Sequence, residues 1–155
     1  MPEKPKRDTA AADAWGALLR VHAALVPQLD RELQAEHHLP LAWYDVLLEL
    51  NYGPDGRLRM SELGERVTLS RTRVSRLVDD MTAAGLVVRE ANPDDRRSAY
   101  AVLTPKGRTL FRQAAPTYLA GIDERFGTAL TVAELTTIKH ALDKVIRRGA
   151  GRIPA

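Results

Sequence analysis

The chain has 155 residues, 45% of them hydrophobic but only 5% aromatic, and a formal net charge of +3. That suits one core of ordinary composition, and the absence of cysteine excludes disulfides, Cys-ligated zinc and thiol redox sensing. No run of about 18 apolar residues offers a membrane span. The polar start MPEKPKRDTAAAD has no signal-peptide hydrophobic region, so a cytoplasmic protein is expected. Charge is unevenly placed: residues 57–112 carry 12 Arg/Lys against 7 Asp/Glu, and the rest of the chain is net negative.

Residues 1–10 are expected to be a flexible tail. From 11 to 36, Trp15, Leu18, Leu19, His22, Leu25, Val26, Leu29 and Leu33 recur at helical spacing, with a kink expected at Pro27. A second helix, 41–51, should end at the Gly53-Pro54-Asp55-Gly56 turn. The segment 58–67 places Met60, Leu63 and Val67 on one side of a short helix. Only Thr68-Leu69-Ser70 joins it to the next, the arrangement of a helix-turn-helix, with Ser70 as N-cap.

In that next helix Val74, Leu77, Val78 and Met81 form one apolar stripe. Thr72, Ser75, Arg76 and Asp79 then point outward, with Arg71, Arg73 and Asp80 on the flanks. Arg, Ser and Thr at a helix start suit base edges and phosphates in a DNA major groove. Gly85 supplies a left-handed stop and Leu86 its apolar contact. Residues 86–90 and 100–103 turn β-branched and alternating about the Asn92-Pro93-Asp94-Asp95 turn, which predicts a β-hairpin. Its tip carries Arg96 and Arg97, suited to a narrow minor groove or its phosphates, and Asp95 is placed to pair with Arg97 and hold it pointed.

Thr104-Pro105 opens a helix whose stripe is Phe111, Ala115, Tyr118, Ile122 and Phe126, with a kink expected at Pro116. Thr131 and Glu134 form a capping box for a last amphipathic helix with Leu135, Ile138, Leu142, Val145 and Ile146. The terminal helices hold more apolar face than a small winged domain can cover, so a homodimer through them is expected. Twofold symmetry would set two recognition helices roughly 34–36 Å apart on a pseudo-palindromic operator. The fold expected is mainly α with a small β-hairpin wing: a winged helix-turn-helix DNA-binding domain over 37–104, flanked by dimerisation helices at 11–36 and 105–148.

In order and spacing, Val74-Ser75-Arg76-Leu77-Val78-Asp79, Gly85-Leu86-Val87, Asp95-Arg96-Arg97 and Val102-Leu103-Thr104-Pro105-Lys106-Gly107 resemble the MarR family of winged-helix transcription factors. The resemblance covers about 14–148. It implies a dimer that represses, or sometimes activates, genes often beside its own, and that leaves double-stranded DNA when a small aromatic or phenolic ligand binds. It also implies Arg97 in the minor groove and Ser70, Arg71, Thr72, Arg73, Ser75 and Arg76 on the major groove or phosphates, with Asp95 and Arg96 beside them in the wing. The ligand pocket would draw on Trp15, Leu19, His22, Trp43, Tyr44 and Phe111. The peroxide-sensing branch, which uses a cysteine, is excluded.

The two tryptophans equally suit core packing, and His22 an interior position. Adjacent His37 and His38 point about 100° apart on a helix, so neither metal nor cofactor is expected. No nucleophile elbow or phosphate-cradling loop marks an enzyme. The competing function is a winged-helix module that binds protein, which would need an acidic or apolar outward face on the recognition helix.

Overall fold

A computed structural model describes residues 6–67 and 71–150. Its elements are α1 (Lys6–His37), α2 (Leu41–Tyr52), β1 (Arg57–Arg59), α3 (Met60–Arg66), α4 (Arg71–Ala83), β2 (Val87–Ala91), β3 (Ala99–Leu103), α5 (Pro105–Ile122) and α6 (Val132–Ala150). The chain divides into two compact units, Met1–Tyr118 and Leu119–Ala155. It is mainly α with a small sheet, as expected.

Two differences lie in α1. Part of the expected tail is helical, from Lys6 onward, and the helix runs through Pro27 without interruption. A proline removes one intrahelical hydrogen bond, and 32 residues of helix absorb that loss. α5 likewise continues through Pro116. Only the C-terminal half of α1 reaches the core, through Leu29 and Leu33. Asp30 then accepts a hydrogen bond from the Leu41 N–H at 2.7 Å, satisfying an orphan amide at the start of α2.

A further difference is β1. The helix expected from 58 begins at Met60, because Arg57–Arg59 pair antiparallel with β3, Leu58 opposite Ala101 and Arg59 opposite Tyr100. β2 lies on the other side of β3, giving the order β1-β3-β2, with Val87 opposite Leu103 and Ala91 opposite Ala99. Buried Leu33, Leu47, Leu50, Leu63, Val74, Val78, Met81, Val87 and Ala101 form one core beneath this sheet. Its other edge is aromatic: the Tyr44 ring lies 5.4 Å from Phe111 and 4.6 Å from Tyr118.

Gly85 adopts φ 75°, and its N–H donates to Thr82 while that of Leu86 donates to Met81, the paired bonds of a Schellman stop. The start of α5 grips that stop. The Thr104 hydroxyl lies 2.8 Å from the Gly85 carbonyl, Lys106 Nζ donates to the Ala84 carbonyl at 2.7 Å, and the Gly107 N–H returns to Thr104 Oγ1. A cation on the last carbonyls of α4 also opposes the negative end of its dipole.

Within the second unit, Thr131 and Glu134 form the expected capping box. Glu134 accepts from the Thr131 N–H at 2.8 Å, and these bonds hold its carboxyl below the usual range.

Candidate nucleic-acid interface

Val74, Val78 and Met81 anchor α4 in the core and Leu77 is half-buried, which turns Thr72, Arg73, Arg76, Asp79 and Asp80 outward as exposed residues. Ser75 is half-buried at the edge of that face. Ser70 and the Arg71 side chain lie outside the described residues.

The wing tip is built on Asn92, 2% exposed. Its amide donates to Ser98 Oγ at 2.8 Å while its carbonyl oxygen accepts from the Asp94 N–H at 3.0 Å, a side chain that mimics a turn in both directions. The expected Asp95–Arg97 link is present, but on the backbone. Asp95 Oδ1 accepts from the Arg97 main-chain N–H at 2.9 Å, because a carboxylate one methylene from the chain reaches the amide two residues on more readily than a long guanidinium. The exposed Arg96 and Arg97 heads therefore rise from a fixed backbone with no ion pair among the described residues.

Helix, wing and the start of α3 enclose a cleft of about 470 Å³ lined by Arg59, Ser61, Ser75, Arg89, Arg97 and Ser98, among others. Two of its arginines are absent from the sequence-based set. Arg59 sits opposite Tyr100, whose side chain raises the guanidinium pKa further, while Arg57 lies 4.9 Å over the same ring. Arg89 reaches α4: its Nη2 is 2.9 Å from the Ser75 carbonyl, Ser75 Oγ and Asp79 Oδ1. A signal for it exists, since Arg89 is two residues from buried Val87 and so shares its sheet face. With Arg89 engaged by Asp79, the guanidinium groups of Arg59 and Arg97 and three hydroxyls line the cleft beside one carboxylate, Asp95, a surface in which donors predominate and which suits phosphate and base-edge acceptors.

The six residues expected at a ligand pocket separate. Trp15 and Leu19 are 60% and 50% exposed, and His22 is exposed beside them rather than interior. Tyr44 and Phe111 are buried against each other, and Trp43 packs against the same core. His37 does not face a metal cluster: its Nε2 lies 2.8 Å from Thr117 Oγ1, which donates to the Glu36 carboxylate at 2.9 Å. Among the described residues no group of three His, Cys, Asp or Glu is placed to hold a metal, and no helix is long and apolar enough to cross a membrane.

Comparison with known proteins agrees with this architecture. The MarR family model matches residues 37–98. The HTH-type transcriptional regulator MhqR of Bacillus subtilis (strain 168) is 33% identical over 100 residues, covering 64% of this chain and 68% of MhqR. Among solved structures, AbsC, a MarR family transcriptional regulator from Streptomyces coelicolor, superposes with a TM-score of 0.85 at 30% identity, over 98% of this chain and 100% of AbsC. Sco3205, another MarR family regulator from Streptomyces coelicolor, solved in complex with DNA, gives a TM-score of 0.81 at 28% identity over 100% of this chain and 94% of its own. With its winged helix and these relatives, the chain belongs to the MarR family and is a transcriptional regulator rather than an enzyme.

Proposed function

We infer that the protein is a homodimeric repressor that binds a pseudo-palindromic operator in the cytoplasm and leaves it when a small aromatic or phenolic ligand binds. The observation that carries the DNA contact is the cleft between α4 and the wing, lined by Arg59 and Arg97 among others, with Arg73 and Arg76 exposed on the outer face of α4. Sco3205 in its DNA complex supports the same use of the fold. Residues 37–104 are the DNA-binding domain. In this reading Thr72, Arg73, Ser75 and Arg76, with Ser70 and Arg71 before them, face the major groove, and Arg96 and Arg97 the minor groove beside it. The protein-binding alternative asks for an apolar or acidic outward face, and Arg73 and Arg76 oppose it. A dimer spanning two half-sites blocks a promoter, which makes repression the expected sign.

Dimerisation rests on apolar faces that the single chain leaves open. Trp15, Leu18 and Leu19 are exposed on α1, and Val132, Val145 and Ile146 on α6. Leu19→Glu with Trp15→Glu should leave the fold intact, since both residues are outside the core, and convert a dimer to a monomer in sedimentation equilibrium. A variant that sediments as the parent does would move the dimer interface elsewhere. The same α1 face supplies the aromatic surface for the ligand, and titration with salicylate-like acids should quench Trp15 or Trp43 and release DNA.

The first test is a gel shift on the DNA upstream of the protein's own gene, with random duplex as competitor, over a salt series. Specific binding survives the competitor and falls steeply with salt. Arg97→Ala should then weaken operator binding by about 1–3 kcal/mol with the melting curve unchanged. Equal affinity for parent and variant would take the wing tip out of the interface.

A further inference from the structure

Arg89 lies where a DNA-contacting cation would be expected, yet its charge is turned inward. One nitrogen, Nη2, has three acceptors at 2.9 Å, and two of them, Ser75 Oγ and Asp79 Oδ1, are one turn apart on the exposed side of α4. Resting on the DNA-binding reading above, we propose that Arg89 is a positioning residue that sets base specificity through Ser75. It latches the wing strand to the recognition helix, neutralises Asp79, and fixes the Ser75 hydroxyl as a hydrogen-bond donor toward the groove.

Each part follows from the geometry. Asp79, with its side chain 63% exposed on the outer face, would repel phosphates if unpaired, and the guanidinium cancels that charge. A serine hydroxyl has one donor and two acceptor positions, and occupying an acceptor with a cation makes the hydroxyl a stronger donor and a poorer acceptor. In the major groove such a donor bonds guanine N7 or O6, adenine N7 or thymine O4, and meets another donor at the cytosine amino group. The base facing Ser75 is therefore selected against cytosine. Because the Arg89 contacts reach both main chain and side chain of Ser75, they also hold the angle between wing and helix on which a two-groove grip depends.

The test measures fluorescence anisotropy on operator and random duplexes for the parent, Arg89→Gln, Arg89→Lys, Asp79→Asn and the double variant Arg89→Gln/Asp79→Asn, with melting curves to verify folding. Arg89→Gln removes a positive charge and Asp79→Asn a negative one, so random-duplex affinity moves in opposite directions. The ratio of operator to random affinity nevertheless falls about tenfold in both; Arg89→Lys, which keeps the charge, loses the same ratio because its side chain is one bond shorter and its ammonium stops short of the three acceptors that Nη2 reaches, and the double variant is no worse than either single one. Unchanged ratios, with both duplexes shifting together, would overturn the latch and make Arg89 a phosphate contact. A parent with no operator preference would overturn the DNA-binding reading itself, and the latch with it.

Discussion

Gly107→Ala should lower the stability of the chain by about 3 kcal/mol or more, among the larger effects a single methyl group can have. In the first turn of α5 a Cβ on Gly107 would fall on the Leu86 carbonyl oxygen, far inside contact distance, and 2.9 Å from Leu103 Cδ1. The obstacle is main chain that cannot rotate away. That carbonyl also accepts from the Thr104 N–H at 3.1 Å, and the Leu86 N–H closes the recognition helix on Met81. Relief by moving α5 breaks the grip on the α4 stop, and relief by moving Leu86 opens the Schellman bonds, so the strain falls on the element that faces DNA in either case. In a chain of this size the loss corresponds to a melting temperature lower by about 6–12 °C. Gly149→Ala is the control: a Cβ there meets nothing within 4 Å, and replacing a helical glycine by alanine is neutral to stabilising. A Gly107→Ala protein melting with the parent would mean that the α5 start is free to slide over the wing.

What could be read in advance follows the range over which the cause acts. The recognition helix, its glycine stop, the hairpin and the capping box are local, set by residues within a turn or two, and each is where the periodicity put it. β1 is not local. Met60, Leu63 and Val67 fit a helix running from 58, but Arg57–Arg59 become a strand because β3, more than 40 residues later, offers an edge. Arg89 is hard to read for a related reason: a charged residue on a strand reads as solvated until the helix beneath it is known to hold Ser75 and Asp79 at its reach. Asp95 does meet Arg97, yet side-chain length makes the main-chain N–H its partner rather than the expected guanidinium. The two families of aromatic residues diverge on the same grounds. Helical spacing puts Trp15 and Tyr44 equally on apolar stripes, while only the packing of α2 against α5 makes one a core residue and leaves the other exposed.

That packing yields the second large effect. As pH rises from 10 toward 12, the parent should lose about 2–3 kcal/mol of stability that Tyr44→Phe retains. Burial is the main cause pushing the Tyr44 phenol from its ordinary 10.0 to about 12, with smaller contributions from Tyr118, Asp45 and Tyr52. The sign follows from which state releases its proton first. With the folded value above the unfolded one, the unfolded chain ionises near pH 10 while the folded chain holds its proton, so stability is unaffected below pH 10 and declines until the folded value is passed. Phenylalanine keeps the ring contacts with Phe111 and Tyr118 and removes the titration. Other groups that titrate in this range, Tyr118 included, remain in both proteins, so the measured quantity is the difference between their urea midpoints from pH 9 to 12. Midpoints that fall in parallel would mean that Tyr44 ionises without leaving the core. The same variant bears on the ligand: if an effector is held by the α1 face, Tyr44→Phe responds to it as the parent does, whereas a lost response would require α2 and α5 to part and expose the phenol.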